Sequence, residues 1–142
     1  RWTQVRARLS QAGLDAPKAC PTEGYIAQLP NYSYPIGVWL MPDCTTDHQM
    51  MEHLLATLVP PGDALWSHAK SSVAIARTLG SKFKDVHLIK AEIHTWIAWQ
   101  ESPGLALGAA VNAAFFRDDS VQAIAFLRWL KRLFGFTGLV RV

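Results

Sequence analysis

Cysteines, charges and long apolar runs are all scarce in this 142-residue chain, and each shortage removes a class of protein. The two cysteines, Cys20 and Cys44, make neither a CxxC pair nor a disulfide framework, so a disulfide-built secreted scaffold is excluded and a cytoplasmic location is expected. No apolar run approaches the roughly 18 residues of a membrane-spanning helix, so no membrane partner is expected. The first twenty residues lack the basic start and apolar stretch of a secretory signal. Only 18% of the residues are charged, and 14 basic against 11 acidic side chains leave a net charge of +3. That balance permits contact with nucleic acid without arguing for it. A glycine-rich phosphate loop, a GxSxG elbow and zinc-finger spacing are also missing, and neither cysteine has a histidine at motif spacing.

Half of the chain is hydrophobic, with six Trp, six Phe and three Tyr, which suffices for one core and a single domain over residues 1–142. The chain starts at Arg1 without an initiator Met and enters a helical pattern at once, as the remainder of a longer protein would. Val5, Leu9 and Ala12 mark one face of a first helix that Gly13 closes. Residues 25–29 and 36–41 read as short strands. The second is a continuous apolar run between Pro35 and Pro42, the pattern of a strand covered on both faces in a parallel sheet. Thr46 and Gln49 stand at capping-box spacing before an apolar helix that Pro60-Pro61 ends. A helix from Asp63 stops at Gly80, residues 82–89 are a strand or connector, and helices follow near residues 91–100, 107–114 and 119–134, the last capped by Asp119 and stopped by Gly135. The expected class is α/β, with a helix-rich C-terminal half.

Asp43 closes the best strand, and Glu52 lies nine residues on, in the next helix. Ligands gather where strands end and helices begin, and two carboxylates with water suit Mg²⁺. The alternative is that Asp43 satisfies loop amides and Glu52 is a solvated helix residue. His48 and Glu52, at i,i+4 with Asp47 and His53 nearby, could ligate Zn²⁺, but the two-histidine spacing of zinc helices is missing, and an exposed polar face is the better explanation. Lys90 ends an apolar segment, where a lysine either holds a phosphate as a point charge or is simply solvated. His94, Trp99 and Glu101 are candidate cleft residues beside Trp96, itself a core candidate. Arg128, Lys131 and Arg132 flank Trp129 and form either a nucleic-acid contact or the wet face of a helix.

Together, residues 37–43 (GVWLMPD), Met51-Glu52, Lys90-Ala91, the block Ile93-His94-Thr95-Trp96 with Ala98-Trp99-Gln100-Glu101, Pro103-Gly104, Trp129-Leu130 and Leu133-Phe134-Gly135 resemble a bacterial family of unknown function. That family looks related to the Toprim-like domains of topoisomerases, primases and OLD-type nucleases. The resemblance implies a small parallel sheet flanked by helices, of which this chain would be the C-terminal part, with a helical extension over roughly residues 91–135. It also implies Mg²⁺-dependent phosphodiester chemistry in the intact protein, using a Glu and an Asp-x-Asp upstream of Arg1. Asp43 and Glu52 would then be metal ligands, with Glu52 and Lys90 as catalytic residues. Cys44 and His53 depart from that pattern, which has Asn and an acid there. On this view the 142 residues alone are inactive. The competing expectation is a non-catalytic module that binds a protein partner or nucleic acid.

Overall fold

The structure is a computed structural model and describes residues 1–46 and 49–136. It is a mixed, helix-rich α/β chain: α1 (Trp2–Gln11), β1 (Tyr25–Gln28), β2 (Pro35–Val38), α2 (Met51–Leu58), α3 (Ala64–Thr78), a 3₁₀ turn (Asp85–His87), α4 (Leu88–Ala98), α5 (Leu107–Asn112) and α6 (Val121–Phe134). These elements fall into two compact units, one of Arg1–Leu54 with Asp119–Val142, the other of Leu55–Asp118. No helix among the described residues is long and apolar enough to cross a membrane.

In the first unit, α1 ends in a Schellman motif. Gly13 takes φ +77, its N–H reaches Ser10 O, and Leu14 N–H reaches back to Leu9 O at 2.9 Å. Leu9 and Leu14 join Trp2, Ala16 and Tyr25 in a buried cluster, where the Trp2 and Tyr25 rings meet edge to face at 5.9 Å.

The two strands pair antiparallel, with Tyr25 opposite Val38 and Gln28 opposite Pro35, so the parallel sheet expected here is replaced by a hairpin. Chain length explains the difference. Residues 29–34 join the strands, whereas a parallel crossover needs roughly a dozen residues or more. The strand also stops at Val38, and Trp39, Leu40 and Met41 continue as half-buried loop rather than as a fully buried strand. The apolar run is covered on both faces nonetheless. Ile36, Val38 and Leu40 pack against the α1 cluster, while Gly37 lies under Leu133 and Trp129 of α6.

Glycine permits that second contact. A Cβ on Gly37 would stand 2.6 Å from Leu133 Cδ2 and 2.7 Å from Trp129 Cζ2. Gly24, with φ +75, is as close to the Trp129 and Trp39 rings. Trp129 thus settles onto bare backbone, and its Nε1–H donates to the carbonyl of Tyr25 at 3.3 Å. Trp39, Phe126 and Trp129 complete an aromatic group with centroids 5.6–5.7 Å apart. The N-cap of α6 is Ser120, whose hydroxyl accepts from Ala123 N–H, rather than Asp119; the stop is Gly135, as its sequence position suggests.

The second unit is built from local helices. Asp63 caps α3 by accepting from Trp66 N–H at 2.7 Å, and Gly80 closes the helix with φ +91. Residues 82–89 hold no strand: the chain makes one 3₁₀ turn and enters α4 at Leu88. α4 buries Ile93, Trp96 and Ile97 on one face, and Trp96 lies 5.1 Å from Phe116.

Candidate functional site

Asp43 lies in the loop five residues beyond β2. Its Oδ1 accepts from Thr45 N–H at 3.0 Å and from Thr45 Oγ1 at 2.8 Å, a local turn of the kind Asp favours. Burial raises its pKa, but the hydrogen bonds from Thr45 and Thr46 together outweigh that and hold the carboxyl below its ordinary value.

Cys44 follows with φ +63, its N–H bonded to Leu40 O at 2.7 Å and its sulfur accepting from Leu40 N–H. The left-handed region suits Asn far better than Cys. Burial pushes the Cys44 thiol up, against hydrogen bonds that include one with the Cys20 thiol. Sequence spacing gave no hint that these two cysteines meet.

Glu52 stands in the first turn of α2 and is only 5% exposed. Among the described residues it is the one buried carboxylate. A charge in that position must be compensated by its surroundings, so the reading of Glu52 as a solvated helix residue does not hold. His53 closes the start of the helix. Its Nδ1 accepts from Met50 N–H at 3.1 Å, the backward reach that an acid makes in a capping box. The helix therefore begins at Met51 under a His53 cap, not at Thr46 under Gln49. Asp47 and His48 lie outside the described residues, and with them the proposed Zn²⁺ pairing of His48 with Glu52.

Lys90, read from sequence as the end of an extended segment, is instead in the first turn of α4 and is exposed. His94 is exposed on the same helix. Trp99 caps its C-terminus and stacks on His68 at 5.1 Å, and Glu101 is exposed in the turn that follows. Glu92 is half-buried; burial raises its pKa while the positive charge of Lys70 opposes the rise. Asp43 and Glu52 belong to the first unit, and Lys90, His94, Trp99 and Glu101 to the second. No group of three or more His, Cys, Asp or Glu able to hold a metal occurs among the described residues.

The first unit also has a cleft of about 460 Å³, lined by Thr22, Glu23, Ala125, Arg128, Lys131 and Arg132. Arg132 is anchored there: Nη1 donates to Glu23 Oε2 at 3.0 Å and Nη2 to the Glu23 carbonyl. A separation of 109 residues hides that pair from any local reading of the sequence. A search of the curated proteins gives no match, and neither does a search of the solved structures. The model of one family, described as a protein of unknown function (DUF3226), matches residues 1–135, and the chain belongs to that family.

Proposed function

We propose that this chain is part of a Toprim-like protein whose complete form carries out Mg²⁺-dependent phosphodiester-bond chemistry. The observation that supports the reading best is the buried carboxylate of Glu52, in the same unit as Asp43. Two carboxylates are the donor chemistry that Mg²⁺ takes, with water filling its other positions. When bound, the ion would supply an activated water and stabilisation of the leaving oxygen. Glu52 brings to the metal side a carboxylate shielded from bulk water, and Asp43 brings one whose orientation Thr45 fixes. The sequence contains no Asp-x-Asp, and the described residues bring no third ligand together, so the ion would be held weakly by these 142 residues alone.

Cleavage assays with Mg²⁺ or Mn²⁺ on single-stranded and duplex DNA test this, run on the 142-residue chain and on the complete protein. Cutting is expected from the complete protein, lost in Glu52→Gln, and absent from the chain alone. Metal-dependent cutting by the chain would overturn the division of roles. A complete protein that binds DNA but never cuts it would establish the non-catalytic module instead.

A further inference from the structure

We infer that the cleft between residues 22–23 and the outer face of α6 is a second, metal-independent site that grips the phosphates of a single-stranded nucleic acid. It goes beyond the metal chemistry, since Asp43, Glu52 and Lys90 take no part in it.

Ala125, Arg128 and Arg132 follow one another at i, i+3 and i+7 and share a stripe, with Lys131 at its edge; side chains so spaced stand roughly 5–6 Å apart at Cβ. The small Ala125 leaves the stripe concave, and Thr22 with Glu23 forms the opposite wall. The volume of about 460 Å³ falls in the range of roughly 300–1,000 Å³ typical of ligand sites.

Charge then selects the ligand. Glu23 neutralises Arg132 and fixes its guanidinium, which costs that side chain its freedom before any ligand arrives. The side chains of Arg128 and Lys131 make no hydrogen bond or ion pair with the described residues. Two uncommitted cations beside a hydroxyl in a concavity suit a phosphate diester, which offers oxygen acceptors and a single negative charge per residue.

A second feature distinguishes nucleic acid from other anions. Just past the cations, Phe134 and Phe136 are 62% and 66% exposed, with ring centroids 5.7 Å apart, where Gly135 turns the chain at φ +65. Exposed rings that follow basic residues along the chain are what unpaired bases stack on, and every base has a face for them. A lipid surface would favour a broad convex apolar face, whereas these cations line a hollow.

Fluorescence anisotropy of a labelled 20-nucleotide single strand, titrated with the chain in EDTA at several salt concentrations, tests the site. Arg128→Gln with Lys131→Gln is expected to weaken binding by about tenfold or more, as the loss of charged hydrogen bonds implies. It should also lower the salt slope by about 1.4, at ~0.7 per phosphate contact on a single strand. Phe134→Ala with Phe136→Ala should weaken binding several-fold and leave the slope unchanged. Because all four side chains lie at the surface or its edge, an unchanged circular dichroism spectrum and Tm confirm that each variant is folded. No binding at low salt, or a slope indifferent to Arg128 and Lys131, overturns the inference. So does phosphatidylserine-vesicle binding that these substitutions abolish while DNA binding persists. Binding in EDTA without cutting by the complete protein would leave this site standing and remove the metal reading.

Discussion

The two units solve the problem of packing in opposite ways. The second closes α3 with local caps, Asp63 and Gly80, and packs helices that lie close in sequence, with Arg117 N–H reaching Leu58 O at 2.8 Å as a longer tie. The first joins a hairpin at residues 25–38 to a helix about a hundred residues later, through one indole resting on two glycines. Contacts between such distant residues must overcome loop-closure entropy before they return anything. The first unit therefore concentrates its stability in a few close approaches, and the second spreads it along its helices.

The sharpest way to break this contrast is with glycines. Gly24→Ala brings both left-handed strain and a clash with Trp129 and Trp39, and should cost about 3 kcal/mol or more in urea unfolding. Gly62→Ala, in the second unit, has similar φ, +78, but open space around it, and should cost only about 1–2 kcal/mol. Equal losses would mean that the close approach of Trp129 carries no energy.

Tryptophans offer a smaller difference. Trp129→Phe loses the bond to Tyr25 O, whereas Trp96→Phe removes a buried Nε1 that has no partner among the described residues. The first substitution should be the costlier by about 1 kcal/mol in the same measurement.

Ala114 closes α5 in the left-handed conformation, φ +58, where Gly80 and Gly13 do the same for their helices. Ala114→Gly relieves about 1 kcal/mol of strain against a cost of ~0.4–1 kcal/mol in the unfolded chain, so Tm should hold or rise by a degree or two. A fall in Tm would remove α5 from the account of the second unit.

The smallest effects are electrostatic and differ in sign between the units. The raised pKa of Glu92 means that the folded state holds its proton more tightly, so its contribution is fullest below 4.5 and is lost as pH rises past it. Glu92→Gln should raise Tm at pH 7 and lose that benefit near pH 4. Asp43, held below 3.8, contributes above that value and loses its contribution as pH falls through the lowered pKa. Asp43→Asn should lower Tm at pH 7 and matter less near pH 3.

What the sequence disclosed follows the range of the forces involved. Gly13, Asp63, Gly80 and Gly135 announced helix ends because capping acts within a turn. The apolar run at residues 36–41 packs on two sides but stays half-buried, and periodicity does not encode strand direction, so it fits a hairpin as well as a parallel sheet. Lys90 was misplaced for the same reason: Val86 to Ile89 is apolar in either a strand or the start of α4. The burial of Glu52, the anchoring of Arg132 by Glu23 and the meeting of Cys20 with Cys44 depend on distant partners, and no local pattern carries them.

That meeting of thiols turns the first unit into its own clock. Only a thiolate reacts with an alkylating reagent, and Cys44 is both buried and shifted away from that form. Its labelling must wait until the loop around residues 39–46 comes away from the core, so the rate counts openings rather than collisions. The second unit has no cysteine to confuse the signal. Labelling followed by mass spectrometry would thus time the breathing of one unit while the other stays silent, and a nucleic acid seated on α6 should slow it.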